Sequence, residues 1–354
     1  MANKTKQAKA SRIDIVDFWR FFAAIMIILC HVNLFGGHRF LLYLFVDFFF
    51  MLTGYFIFRH FQKPQFINQD ANQKAKDALK YTWNRFLKLL PYTIPIVIVC
   101  FIAVHGSHCL HHHTFKDILY YIESITAEAS LLPNNIMPMS RTIGPIWYLS
   151  VMIFAMPVVC YIAQTKRLNL IAVLTIPLFW YFLNDSYYFT AGDVNASLQL
   201  LRGFISMILG GLVFYVTTLT NDAKKSSTKT RVIVTITEIL CYITATLIGS
   251  FSTQPVSMIL VLLFIGLCAT LSGLSYTAEI KCRFFTFLGA ISLPLFMWHY
   301  GIIRTIRTID SFDLATKYIV VFTASILISA AHYLIVKKIT DTIAKRKATQ
   351  ASKH

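Results

Sequence analysis

The chain has 354 residues, of which 56% are hydrophobic and only 14% are charged. A soluble globular domain carries about 25% charged residues, so this composition excludes an ordinary water-soluble protein. The formal net charge of +17 would suit a nucleic-acid partner. However, the lysines and arginines fall mainly between apolar runs, as they do in the loops that orient membrane helices. We therefore expect contact with a lipid bilayer and no nucleic-acid partner.

Long apolar runs predict membrane-spanning helices. Each run is near the roughly 20 residues that cross a bilayer as a helix, and the sequence lacks the short alternating segments of a membrane β-barrel. We predict an all-α, polytopic helical membrane protein with about ten transmembrane helices. The predicted spans are residues 13–35, 41–61, 89–106, 145–163, 168–184, 197–219, 232–250, 255–276, 284–305 and 316–336.

The charges predict the orientation of these spans. With the N-terminus in the cytoplasm, and counting Arg59 at the inner end of the second span, the cytoplasmic segments hold 25 of the 33 lysines and arginines. This is the bias that the positive-inside rule expects. The chain then divides into a basic cytoplasmic N-terminus (1–12), a membrane domain (13–336) and a basic cytoplasmic C-terminal tail (337–354).

The first span carries ionisable side chains, which are costly in lipid and face a cavity or a partner. They are Asp17, Arg20 and His31. At 100° per residue, Arg20 and His31 lie about 20° apart around the helix and about 16 Å apart along it. They share a face, with Asp17 one turn below Arg20. This track is either a functional pathway or a structural Asp17–Arg20 ion pair with an interfacial histidine.

Later spans carry further polar candidates. Asp47, near the predicted depth of His31, is suited to orient an imidazole as in catalytic His–Asp pairs, or to complement a helix dipole. Trp147 by itself fits the aromatic belt of a membrane interface, and His299 by itself fits a hydrogen-bonded core residue. No metal site is predicted, because the cysteines form no CxxC pair and the histidines of 105–113 lack metal-ligand spacing.

Taken together, these residues resemble the acyltransferase-3 family of membrane acyltransferases over most of the chain. The segment from Arg12 to His31 is similar to the family's N-terminal signature. It includes the Arg-x10-His motif, formed by Arg20 and His31. Later segments resemble further family motifs in the same order. These are residues 46–55, 85–91, 147–157, 202–211 and 292–299.

The resemblance implies transfer of an acyl group, usually acetyl, from cytoplasmic acyl-CoA to a hydroxyl of a cell-surface polysaccharide or its lipid-linked precursor. Acyl-CoA is then a co-substrate, no bound cofactor is expected, and the location is a bacterial plasma membrane. His31 is expected to act as general base or nucleophile, with Asp47 as its orienting carboxylate. The alternative function is a membrane transporter or flippase for a lipid-linked sugar, which shares the spans and the intramembrane charges.

The other candidates fall into two groups. Arg20, Asp17, Arg85 and Lys88 are expected to bind the donor or line a pore. Acceptor-side or structural roles are expected for Arg141, Trp147, Arg202, Ser292 and His299.

Two residues depart from the family pattern. Thr53 replaces a serine of many relatives, and Met152 replaces a glutamate. If that glutamate contacts the acceptor, Met152 implies that this chain handles its acceptor differently.

Overall fold

The structure is a computed structural model that describes residues 13–32, 41–111, 114–131, 143–165, 196–221, 227–251, 256–307, 309 and 311–351. Regular structure in these ranges is entirely helical. The helices are α1 (Asp14–Val32), α2 (Phe45–Phe61), α3 (Pro64–Ile67), α4 (Ala71–His111), α5 (Phe115–Ala129), α6 (Ile146–Ala163), α7 (Ala196–Asn221), α8 (Thr228–Phe251), α9 (Val256–Leu271), α10 (Arg283–Arg307) and α11 (Leu314–Ala351), with 3-10 helices at Leu41–Leu44 and Tyr276–Glu279.

The predicted membrane architecture is confirmed. Eight helical stretches in the described ranges are long and apolar enough to cross a bilayer, and α9 is a shorter apolar helix of 16 residues. Each corresponds to one of the predicted spans. The remaining predicted span, 168–184, lies outside the described residues.

The structure contains more helix than the sequence predicts: two helices are longer than their predicted spans, and one lies in a predicted loop. α4 begins at Ala71, inside the predicted cytoplasmic loop, and α11 continues to Ala351, through the predicted C-terminal tail. Adding polar residues to an existing helix requires no new nucleus, so the change in polarity does not mark the helix end. α5 occupies part of the predicted outer loop and begins with a capping box, in which Thr114 and Asp117 bond each other's backbone N–H groups.

Helix ends alternate between two sides of the bundle. The starts of α1 and α10 meet, since the Asp14 carboxylate accepts a hydrogen bond from the Cys282 N–H at 3.0 Å. The ends of α2 and α6 meet likewise, where Gln62 donates to the Ala163 carbonyl at 2.9 Å. We call the side where α1 and α10 begin and α2 and α6 end the basic side, and the opposite side the far side. The basic side carries the lysines and arginines of residues 59–88, 229–231, 281–283 and 337–346.

Helices α2 and α7 pack with their backbones in close approach. A Cβ on Gly54 would overlap the Met207 carbonyl, and a Cβ on Gly210 would overlap the Met51 carbonyl. The two glycines therefore serve the same purpose from opposite helices, as small residues do between membrane helices. This contact fixes α2, which carries Thr53 and Asp47, against α7.

Helices α1 and α10 are also set by a glycine. A Cβ on Gly289 would overlap the Asp17 side chain. The same two helices meet nearer the far side through an apolar cluster that contains Ala24, Ile28 and Leu295. Two fixed contacts along one helix pair leave little freedom in the register of α1 against α10.

Candidate functional site

A cavity of about 320 Å³ opens among α1, α2, α4, α6 and α10. Its polar and charged groups come from five helices, whereas the rest of its wall is aliphatic and aromatic. The polar lining residues are Arg20, Thr53, Tyr81, Arg85, Tyr148 and Ser292. A concave, mostly apolar site with a few converging polar groups is the usual form of a small-molecule site.

Arg20 reaches this cavity from α1 and is paired on the same helix. Its Nη1 lies 3.2 Å from Asp17 Oδ1, three residues earlier. The Asp17 carboxylate is almost fully buried, whereas the Arg20 side chain keeps 32% of its surface exposed. The predicted Asp17–Arg20 pair is therefore present, and the guanidinium is nonetheless open to a second anion.

A second cavity, of about 400 Å³, adjoins the first on the basic side. Arg85 and Tyr81 line both cavities, whereas Lys88 and Lys80 line only the second. The second cavity also contains Asp77 and an aromatic cluster of His60, Phe61, Phe66 and Tyr81, whose neighbouring ring centroids lie 4.8–5.2 Å apart. Positively charged side chains are therefore found in both cavities as well as on the basic side.

Met152 forms part of the wall of the first cavity. Its sulfur lies 3.8 Å from the Thr53 hydroxyl and 3.7 Å from the Tyr148 hydroxyl. A thioether is only a weak acceptor. Position 152 is therefore a neutral patch of the cavity that holds Arg20 and Arg85.

His31 and His299 lie side by side near the far side. His31 Nδ1 is 2.9 Å from the Ile27 carbonyl and 3.3 Å from His299 Nε2. His299 Nδ1 is 3.3 Å from the Leu295 carbonyl. A carbonyl only accepts hydrogen bonds, so each Nδ1 carries the proton in the neutral rings. His299 Nε2 is then the acceptor that faces the His31 Nδ1–H.

This arrangement leaves His31 Nε2 as an unprotonated nitrogen with its lone pair available. If that nitrogen gains a proton, the resulting cation remains bonded through Nδ1–H to His299. A neutral histidine thus occupies the orienting place that a carboxylate has in catalytic triads. The sequence favoured a core role for His299, which is indeed fully buried, but its contact with His31 was not predicted.

Three aromatic rings, which we call the aromatic layer, line the first cavity and approach the histidine pair through Phe296. The rings of Phe49, Tyr148 and Phe296 lie 5.4–6.1 Å from one another, and all three line the cavity. The Phe296 ring is also 6.0 Å from the ring of His299, which lies one turn further along α10. His31 and His299 are not among the residues that line the cavity. The Arg20–His31 track therefore has a cavity at the Arg20 end and the histidine pair at the other end.

Asp47 does not orient His31, and this expectation is wrong for the described residues. Its Oδ1 accepts hydrogen bonds from Arg202 Nε at 3.1 Å and from Ser206 at 2.8 Å, and its Oδ2 is bonded to Arg202 Nη2. The Arg202 guanidinium lies 5.7 Å from the ring centroids of both Tyr43 and Trp147. A buried carboxylate needs such a cationic partner, and α7 supplies it at the point where α2 begins.

The remaining candidates have simpler surroundings. Ser292 lines the first cavity, and its hydroxyl donates to the Gly289 carbonyl at 2.8 Å. Trp147 packs on Arg202, as described above, while Arg141 lies outside the described residues. Of the histidine-rich stretch at 105–113, residues 112 and 113 lie outside the description too, and nothing is described of the side chains of the others.

One signal in the sequence could have revealed the Asp47–Arg202 pair. Both residues begin spans that enter the membrane from the same predicted side, so they lie at similar depth. Opposite charges at equal depth in lipid are expected to pair.

Comparison with known proteins supports the resemblance. A family model described as an acyltransferase domain (acyltransferase-3) matches residues 13–334. No curated protein and no solved structure matches the chain. The match covers α1 to α10 and most of α11, including both cavities, the aromatic layer and the histidine pair. The chain therefore belongs to the acyltransferase-3 family and is a multi-pass membrane acyltransferase.

Proposed function

We propose that this acyltransferase moves an acetyl group from cytoplasmic acetyl-CoA to a hydroxyl of a cell-surface polysaccharide or of its lipid-linked precursor. The observation that carries the proposal is the arrangement along α1. Arg20 lines a cavity that adjoins the basic side, and His31 stands beyond that cavity with a free nitrogen. One helix thus joins a site for an anionic donor to a base.

The donor site is proposed to use both cavities. Acyl-CoA carries several phosphates, and cationic clefts concentrate anionic substrates. Lys80, Lys88 and Arg85 line the second cavity, and Arg85 also lines the first. In this account the phosphates lie in the second cavity. The pantetheine arm passes between Tyr81 and Arg85 into the first cavity, so that the thioester points towards the aromatic layer.

The chemistry is assigned to the histidine pair. His31 Nε2 takes the proton of the acceptor hydroxyl as the oxygen attacks the thioester carbonyl; the carbon–sulfur bond breaks, and the thiolate of CoA leaves and is then protonated. Alternatively, Nε2 itself attacks the carbonyl, the carbon–sulfur bond breaks and the thiolate of CoA leaves. The acceptor hydroxyl then cleaves the acyl-imidazole, and its proton passes to the released Nε2. In both routes the charge that develops on His31 is stabilised through its Nδ1–H by His299 Nε2.

In this mechanism the aromatic layer controls the access of the thioester to His31. Phe49, Tyr148 and Phe296 line the cavity, and Phe296 neighbours His299. In this account the thioester reaches His31 when these rings move. Closed rings also keep water away from the thioester. The proposed location is a bacterial plasma membrane, and the positive-inside rule favours a cytoplasmic basic side. Donor and acceptor then approach from opposite sides.

The test uses inverted membrane vesicles, whose cytoplasmic side faces the solution. Vesicles that contain the wild-type protein receive acetyl-CoA labelled in the acetyl group. We expect label in the polysaccharide and lipid-linked saccharide fraction, released by mild alkali as an ester would be. H31A vesicles are expected to incorporate label about 10²- to 10⁴-fold more slowly, and L334A, which alters a side chain that is 55% exposed on α11, controls for expression and insertion.

Two results would contradict the proposal. One is equal incorporation in H31A vesicles. The other is saccharide movement across the wild-type membrane without incorporation of label, which indicates a transporter or flippase instead.

A further inference from the structure

His332 lies on α11 with only 8% of its surface exposed, between α4 and α10. Its Nδ1 is 3.1 Å from the indole Nε1 of Trp298, and its Nε2 is 3.2 Å from the Pro91 carbonyl. An indole N–H only donates hydrogen bonds, so Nδ1 is the acceptor. Nε2 must then carry the proton and donate it to Pro91. Both ring nitrogens are engaged, and the tautomer is fixed.

The carbonyl of Pro91 needs such a donor for a reason visible in the sequence. In an α-helix it would accept a hydrogen bond from the N–H of residue 95, but residue 95 is proline, which has no N–H. An unsatisfied carbonyl is costly at membrane depth, and a neighbouring helix is the usual remedy. His332 provides that remedy from α11.

The other end of the His332 ring acts on α10 next to the histidine pair. Trp298 directly precedes His299, and consecutive residues on a helix point about 100° apart. Trp298 thus faces His332 while His299 faces His31. The indole bond therefore fixes the rotation of α10 at the level where His299 meets His31.

We propose that His332 is a positioning residue for the His31–His299 pair. It ties the proline-interrupted turn of α4 to α10 through Trp298 and so holds His299 Nε2 against His31. This role rests on the proposed function, because it assigns the chemistry to His31.

The first experiment measures transfer kinetics in the labelled-vesicle assay. H332L removes both hydrogen bonds and is expected to lower kcat by about 10- to 100-fold, the cost of a misplaced catalytic group, with KM for acetyl-CoA unchanged. H332Q offers a carbonyl oxygen to Trp298 and an N–H to Pro91, and is expected to restore kcat to within a few-fold of wild type. W298F, which removes only the donor, is expected to match H332L, and the double variant to lose no more than either.

The second experiment measures thermal unfolding in detergent and is independent of activity. P95A returns an N–H to the Pro91 carbonyl, so we expect H332L to lower Tm less in a P95A background than alone. P157A, which replaces a proline within α6, is the matched control and is expected to leave the H332L effect unchanged.

The outcomes separate the claims. Additive Tm effects of H332L and P95A would overturn the assignment of His332 to the Pro91 carbonyl. A transferase whose H332L variant keeps its kcat would overturn the positioning role alone. A wild-type protein without transferase activity would overturn the proposed function and the positioning role together.

Discussion

Two polar clusters lie towards the far side of the bundle, and they differ in how fully their atoms are bonded. In the Asp47–Arg202–Ser206 cluster both carboxylate oxygens are occupied, and Asp47 is fully buried. In the His31–His299 pair, His31 remains partly exposed and its Nε2 has no hydrogen-bond partner among the described residues. A closed cluster holds helices together, whereas an open one retains an atom for chemistry.

This comparison corrects an expectation based on residue type alone. Asp47 and His31 together look like a catalytic pair, but a buried carboxylate is stabilised more by a guanidinium than by a neutral imidazole. Arg202 therefore forms an ion pair with Asp47, and His31 forms a hydrogen bond with His299 instead. The family match spans all four residues. Only the packing of α7 on α2 and of α10 on α1 shows how they pair.

The first prediction concerns the open cluster. H31A removes the proposed base and is expected to reduce transfer by about 10² to 10⁴-fold, the range for loss of general acid–base catalysis. Its Tm is expected to fall only modestly, because the change removes one hydrogen bond to the buried His299 Nε2, whereas His31 Nε2 bonds nothing in the described structure. Transfer rates and Tm from one preparation test this. A large loss of Tm in H31A would make His31 a structural residue.

The second prediction concerns the closed cluster. D47A leaves Arg202 buried without its carboxylate and is expected to cost about 3–5 kcal/mol of stability. Because Asp47 is structural in this account, any molecules that still fold should retain transfer per folded molecule. The double variant D47L/R202L, which removes both charges, is expected to regain much of the stability. Detergent unfolding of the three variants measures this. A D47A variant that is stable but has no transferase activity would instead indicate that Asp47 takes part in the reaction.

The third prediction concerns the donor side. R85A removes a cation common to both cavities and is expected to raise KM for acetyl-CoA by about 10-fold, at the lower end for a lost charged hydrogen bond. K88A, the matched variant that alters only the second cavity, is expected to have a smaller effect. Initial-rate kinetics decide. A lower kcat with unchanged KM in R85A would argue against donor binding.

The smallest predicted effect concerns Met152. M152E introduces a carboxylate into the cavity that holds Arg20 and Arg85, and it is expected to raise KM for the anionic donor a few-fold. M152Q, of similar shape and without charge, is expected to stay near wild type. Equal KM values for the two variants would mean that this wall does not meet the donor.

Much of the fold could be predicted from the sequence, because hydrophobic runs and charge bias report membrane spans directly. Helix ends could not, since α4 and α11 continue through polar residues that carry no stop signal. Within the site, the Asp17–Arg20 pair was predictable from spacing on one helix. The contact of His31 with His299 was not, because it depends on the register of α1 against α10, which Gly289 helps to set. The hydrogen bond from His332 to the Pro91 carbonyl could not be predicted either. The sequence indicates only that this carbonyl lacks its usual donor, because Pro95 has no N–H.

The central claim is that His31 and His299 act as one unit, and a double-variant cycle on transfer tests it most directly. The vesicle assay would compare kcat for wild type, H31A, H299L and H31A/H299L at matched insertion. We predict that H299L lowers kcat by about 10- to 100-fold when His31 is present and has no further effect when His31 is absent, because residues that act as a unit are not additive. Equal fold losses from H299L in both backgrounds would show that the two histidines act independently and would contradict the account.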